Sequence, residues 1–284
     1  MTLVTSSATA TTRGRTPLLL KLAAGAVIAL MLLAAFAPLL APHDPLAQNV
    51  LARLQGPTTA HWLGTDQFGR DILSRVLYGM RASLGIAATS VFAALVAGGS
   101  LGLAAAYYRG WTDRIVMRLM DVLFAFPLML LAIGIIAMLG PGARPTAISI
   151  AIVYTPIFAR LLRGPALVIV TSDYVMSARS IGASDARIIF SHILPNLASV
   201  ILVQLSLLLS SAILVEASLS FLGLGTQPPT PSLGMMLSEG RNMLLLSPWA
   251  AIFSGAAILA IAFALNLLGD VLRDTLDPRL RGQR

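Results

Sequence analysis

The sequence predicts an all-α integral membrane protein of six transmembrane helices. Three observations carry that prediction: an excess of apolar residues, six long stretches free of charge, and a one-sided distribution of arginine. Of the 284 residues 57% are hydrophobic and 11% charged, and the mean hydropathy is +0.83. A soluble domain carries roughly a quarter charged residues. The apolar surface here exceeds what one globular core hides, so lipid must be part of the solvent.

The spans are read as stretches between charged or histidine residues, because a charge at mid-bilayer costs roughly 3 kcal/mol on insertion scales. Lys21 to His43 encloses 21 uncharged residues, Arg81 to Arg109 27, and Asp121 to Arg144 22. Arg144 to Arg160 encloses 15, His192 to Glu216 23, and Arg241 to Asp270 28. About 20 apolar residues cross the hydrocarbon, so five of the six suffice outright. The fourth reaches Leu162 if Arg160 and Arg163 snorkel to the interface. The run Leu22–Ala41 is longer than a signal-peptide core, and its best small-x-small site, Ala35-Phe36-Ala37, is followed by Pro38. The first span is therefore expected to stay as an anchor. Pro127 and Pro156 are expected to kink the third and fourth spans.

With the N-terminus inside, 14 basic residues fall on the cytoplasmic side and 6 outside, which predicts that both termini are cytoplasmic. The expected organisation is a cytoplasmic tail (1–17), a first helix (18–41), and an extracytoplasmic segment with an amphipathic helix (42–81). A five-helix core (82–272) with a cytoplasmic loop (164–197) and a C-terminal tail (273–284) complete it.

Composition also excludes several chemistries. Cysteine is absent, which removes disulfides, thiolate metal sites and thiol catalysis. His43, His61 and His192 lie far apart, and no two catalytic groups are spaced to meet on one helix face, so no catalytic or metal site is expected. The net charge of +8 comes from 19 scattered arginines and Lys21, without the basic runs and interleaved aromatics of nucleic-acid binders. Lys21 opens a membrane span, so no lysine serves a phosphate-binding Walker A loop. A proton-coupled carrier wants acidic relays within its spans. Here every Asp and Glu is placed at or beyond a span end.

Three polar segments remain to carry function. His61–Asp71 (HWLGTDQFGRD) is rich in turn formers and leads into Ile72, Val76 and Met80 on one helical face, which reads as a helix on the membrane surface. Tyr174–Asn196 reads as a helix stopped by Gly182, a second helix capped by Ser184 or Asp185, and Pro195 before the fifth span. Its small residues, Ser177, Ala178 and Ala183, leave a surface another protein can approach closely. Glu216–Gly234 begins apolar and ends as a stiff proline-rich stretch.

Together these segments resemble the shorter, second permease type of the dipeptide, oligopeptide and nickel ABC importers. The matches are His61 to Asp71 before the second span, and Ala178, Gly182, Ile193, Leu194 and Pro195 of the cytoplasmic EAA-type signature. Ser218 to Pro229 (SLSFLGLGTQPP) and the ending Arg273–Arg279 match as well. The signature Glu and the Ala after it are replaced by Met176 and Ser177, and a tryptophan of the proline-rich loop by Leu233.

The resemblance implies a type I ABC importer permease fold whose cytoplasmic coupling helix lies around Gly182–His192. Ser177, Ala178, Gly182, Ala183, Ser184, Asp185, Ile193, Leu194 and Pro195 are then the candidates for coupling to an ATPase. It further implies a homologous second permease, two ATP-binding subunits that hold ATP and Mg, and an extracytoplasmic binding protein. The chain itself would carry no cofactor and no catalytic residue. Peptides are the expected substrate, with nickel or glutathione as alternatives. Glu216 and Asp121 are the two candidates for the substrate path, and for Asp121 a local ion pair near Arg114 and Arg118 is the competing reading. Gly98, Gly99, Gly102 and Gly134 suit close helix contacts, between subunits or within the chain.

Overall fold

The computed structural model describes residues 16–276. Arg13 and Arg15 of the expected N-terminal tail, and Asp277 to Arg279 of the C-terminal motif, lie outside the described residues. Helix α1 (Thr16–Ala35) breaks at Phe36, and Pro38 sits in the first turn of a short α2 (Ala37–Leu40), where its missing N–H costs nothing. A long connection then leads to α3 (Ile72–Tyr108), which is 37 residues long. Next come α4 (Gly110–Phe124), α5 (Leu128–Leu139) and α6 (Ala143–Val170). The short helices α7 (Asp173–Ser180) and α8 (Asp185–Ile188) precede α9 (Leu194–Phe221), α10 (Leu233–Asn242) and α11 (Trp249–Leu276).

Among the described residues five helical runs are long and apolar enough to cross a membrane: α1, α3, α6, the run from α8 through α9, and α11. The third expected span is a broken one. Helices α4 and α5 meet at 91°. At a rise of 1.5 Å per residue, α5 alone is about 18 Å long, short of the roughly 30 Å hydrocarbon core. Proline explains the break: Pro127 has no N–H to continue α4 and disfavours helical φ/ψ at Phe126, so it caps α5 at φ −56°, ψ 130° instead. The expected kink is thus a corner. Pro156, by contrast, sits inside a continuous α6.

Four other expectations are corrected. The segment Ile72–Met80 is not a helix lying on the membrane surface. It is the start of α3, and Ile72, Val76, Leu77 and Met80 are all buried within the protein. The connector between the fourth and fifth spans is shorter than the expected 164–197, because α6 continues to Val170 and the next long helical run begins at Asp185. Pro195 does not separate that run from the fifth span. A π-helical turn at Ile189–Ile193 opens the helix where Pro195 withholds its N–H, and the helix continues unbroken from Asp185 to Phe221. Finally, the sixth span is α11 alone, since Met243–Pro248 turns between α10 and α11.

The most extensive contact in the bundle is between α3 and α6. Gly98 and Gly102, one turn apart, permit it. A Cβ at Gly98 would lie 2.2 Å from the Thr155 carbonyl oxygen, and one at Gly102 would lie 2.3 Å from that of Ala159. Gly99 faces Leu162, whereas Gly134 has open space around it. The first three glycines therefore serve packing within the chain. Tyr154 and Phe158 of α6 fill the core beside them, and α9, α10 and α11 close the other side. Leu233, which stands where the resemblance has tryptophan, is fully buried against Gly79 of α3.

Candidate functional site

At one end of the bundle the chain forms a compact helix–turn–helix between α6 and α9. Helix α7 ends in a Schellman motif: the Ala183 N–H donates to the Ala178 carbonyl and the Gly182 N–H to that of Arg179, both at 3.0 Å. The motif requires a left-handed residue, and Gly182 supplies it at φ +84°. Ser184 then caps α8 by accepting the Arg187 N–H at 3.4 Å, so of the two expected caps serine is the one used.

Asp185 has a different task. It accepts the Tyr107 hydroxyl at 2.6 Å and the Tyr108 hydroxyl at 3.4 Å, both from the last turn of α3. The Arg179 guanidinium lies 5.0 Å over the Tyr107 ring. Val175, Ile188 and Ile193 are buried in one cluster with Ala106, Tyr107 and Leu162, and Ala178 is buried as well. Hydrogen bonds and apolar contacts thus fix this element to α3 and α6.

The nine predicted coupling residues divide by face. Ala178 and Ile193 point inward and hold the element in place. Ser177, Gly182, Ser184, Asp185 and Pro195 are exposed, and Ala183 and Leu194 are half-buried. Between them Ile181 is 87% exposed at the apex of the turn, and Met176 is 59% exposed on α7. Ile181 thus presents an apolar side chain at the tip of a turn whose backbone is fixed by the Schellman motif. Ile181 falls between the end of α7 and the helix-stopping Gly182, where it belongs to no periodic apolar pattern, so sequence reasoning missed it.

The two candidates for a substrate path behave differently. Asp121 pairs with Arg160 of α6 at 2.5 Å, both side chains being about half exposed. This ion pair joins α4 to α6, and its partner is Arg160 rather than the expected Arg114 or Arg118. Glu216 does not sit at a span end, because α9 continues to Phe221. It is fully buried, accepts the Ser220 hydroxyl at 2.7 Å through Oε1, and leaves Oε2 without a partner among the described residues. It lines no open surface. An open apolar groove of about 840 Å³ lies between α3, α6 and the first turns of α9, lined by Leu95, Gly99, Leu103, Leu162, Phe190 and Leu202.

At the opposite end, the segment 64–75 is a buried ionic cross-link that sequence reasoning missed. Asp66 accepts the Arg70 Nε at 2.6 Å and lies 3.4 Å from the Arg75 Nε. Both guanidinium groups also reach Glu239 of α10, at 3.2 and 3.5 Å. Arg70, Arg75 and Asp66 are each at most 6% exposed. Two positive and two negative charges balance, as burial of charge demands. A signal was present: Arg75 lies on the same face as Ile72 and Gly79, so burying that face had to bury the arginine with a partner. Asp71 caps α3, accepting the Ser74 N–H at 2.8 Å and the Ser74 hydroxyl at 2.7 Å.

This architecture has relatives. Residues 98–282 match the family described as the inner membrane component of binding-protein-dependent transport systems. Residues 21–57 match the N-terminal transmembrane domain of oligopeptide transport permease C. The chain is 49% identical over 261 residues to a glutathione transport system permease protein of Pectobacterium atrosepticum, covering 91% of this chain and 87% of that one. It is 45% identical over 255 residues to a dipeptide transport system permease protein of Alkalihalophilus pseudofirmus, covering 90% and 84%. A glutathione transport permease of Escherichia coli O157:H7 is 47% identical over 259 residues, covering 90% and 85%. The chain belongs to the inner membrane permease family of binding-protein-dependent ABC importers.

Proposed function

We propose that this chain is one of two homologous permeases in an importer of small peptides, and that the turn Ile181–Ser184 docks on an ATP-hydrolysing subunit. Both termini are then cytoplasmic, in keeping with 14 basic residues on that side against 6 on the other. ATP and Mg are held by the two ATPase partners, and a binding protein delivers substrate to the end that carries Asp66 and Glu239.

The observation that carries the reading is the unbroken helix from Asp185 to Phe221. Its first turn lies beside the docking turn and is pinned to α3 by Asp185 and Tyr107. A displacement of Ile181 is therefore carried as a rigid-body motion into α9 and α3, two of the longest spans. Closure of an ATPase dimer would draw two such elements together and turn the paired permeases outward, and reopening would reverse it. Met176 leaves no carboxylate at the signature position, so docking here rests on shape and apolar contact rather than an ion pair.

The substrate class follows from the relatives, whose names give dipeptide and glutathione transport. Both ligands share a peptide backbone, a free α-amino group and carboxylates, and we assign peptides of two or three residues to the complete importer. Its path lies between this chain and the second permease, which supports reading the apolar groove by Phe190 and Leu202 as part of that interface.

The test is reconstitution of the complete transporter with its binding protein in proteoliposomes. ATP-dependent uptake of labelled dipeptide or glutathione is expected, and Ile181→Asp should abolish both uptake and co-purification of the ATPase. Undiminished uptake by Ile181→Asp would overturn the docking assignment, and uptake without ATP would overturn the importer assignment.

A further inference from the structure

The three histidines are scattered in sequence, yet the fold brings two of them to one carboxylate. His43 follows α2, His61 lies in the turn-rich loop, and Asp71 caps α3. The His61 Nδ1 is 2.9 Å from Asp71 Oδ1, and the His43 Nδ1 is 3.8 Å from the same oxygen. The imidazole rings are 4.8 Å apart, and one donor atom from each of the three residues lies within 4.8 Å of the others.

We infer that His43, His61 and Asp71 form a site for a divalent first-row transition ion of the zinc class. Neutral imidazole and carboxylate are the donors such ions prefer, at about 2.0–2.1 Å. Tetrahedral donors at that radius are about 3.3–3.4 Å apart, and the two observed spacings to Asp71 straddle this value. Closing the site needs a side-chain movement of about 1 Å by His43, which is free to make it because its side chain is 42% exposed. The same exposure provides an entry path and leaves a fourth position for water.

The supporting shell is in place. Ser74 holds Asp71 Oδ2 through both its N–H and its hydroxyl, leaving Oδ1 for the ion. The Ser74 hydroxyl oxygen also accepts the His43 backbone N–H at 3.1 Å, which ties two of the three ligands to one residue. On binding, the His61 proton moves to Nε2, and the ion replaces the His61–Asp71 hydrogen bond. The ion joins the segment after α2, the loop and the start of α3, so it staples the face beside the Arg70–Glu239 cross-link. This inference stands whether or not the transported solute is a peptide.

The experiment uses the full chain in lipid nanodiscs, purified by a tag without histidine and dialysed against buffered zinc chloride, with bound metal counted by mass spectrometry. Cysteine is absent and His192 is the one other histidine, so competing donors are few. One zinc per chain is expected, with affinity falling at least tenfold in His43→Ala and in His61→Ala and unchanged in His192→Ala. Zinc-edge absorption should show two imidazoles with oxygen ligands, and zinc should raise the thermal transition of wild type but not of His43→Ala. The His43 side chain is 42% exposed, and an unchanged thermal transition of the zinc-free His43→Ala variant separates loss of zinc from a folding defect. Absence of bound zinc, or equal affinity in wild type and His43→Ala, would overturn the site.

Discussion

Replacing Gly102 by alanine adds one methyl group where α3 meets α6. That carbon would lie 2.3 Å from the Ala159 carbonyl oxygen and 2.9 Å from its Cα. Heavy atoms sit comfortably at about 3.5 Å, so the helices must part by about 1 Å, because the obstructing atoms are backbone and cannot rotate away. Overpacking of this kind costs about 1–3 kcal/mol. In lipid no hydrophobic effect between helices compensates, since association there rests on close packing. Gly98→Ala meets the Thr155 carbonyl in the same way and should cost a similar amount. One separation relieves both clashes, so the double variant should lose less than the sum of the two singles. Gly134→Ala is the control: nothing lies within 4 Å of its added carbon, and alanine favours a helix over glycine by about 0.5–1 kcal/mol. Thermal unfolding of the purified chain in nanodiscs should therefore give opposite signs, destabilised at Gly98 and Gly102 and neutral or stabilised at Gly134. Equal shifts at all three positions, or a stabilised Gly102→Ala, would refute the packing argument.

Three further outcomes are expected. Asp66→Ala leaves Arg70 and Arg75 buried with half their compensation, and breaking a buried pair this way costs about 3–5 kcal/mol, measurable as a large drop in the thermal midpoint. Arg163→Ala removes the two-pronged contact with Asp113, at 2.5 and 2.6 Å, that ties α4 to α6. Both groups are partly exposed, so the loss is about 1 kcal/mol or less, but hydrogen exchange should quicken selectively in α4. Asp185→Ala frees the α8 turn from Tyr107, and the reconstituted transporter should then hydrolyse ATP with a reduced yield of imported peptide. An unchanged ratio of uptake to hydrolysis would remove Asp185 from the transmission path.

What the sequence revealed followed the kind of signal each element carries. Long uncharged stretches located α1, α3, α6, α9 and α11, because exclusion of charge from lipid is a one-dimensional property. Gly182 and Ser184 were legible as a helix stop and a cap because those are local backbone requirements. The corner at Pro127 was legible as a perturbation but not as an angle, since proline withdraws one hydrogen bond without dictating where the chain turns. The continuity through Pro195 was hidden because the π turn that permits it leaves no composition mark. Contacts between distant residues were out of reach: Glu239 lies 169 residues from Arg70, and only the fold pairs them. The exposed Ile181, by contrast, was visible as a residue and became informative only when the structure left it uncovered beside a buried Ala178.

The central claim is that the Ile181 turn docks on an ATPase subunit. The chain contains no cysteine, so Ile181→Cys introduces a unique thiol that can carry a photoreactive cross-linker in native membranes. Leu245, fully exposed in the turn before α11 at the other end, provides Leu245→Cys as the matched control. Illumination should cross-link position 181 to the ATP-binding subunit and position 245 to none of it. A cross-link to the ATPase from 245, or none from 181 in an assembled and active transporter, would contradict the account.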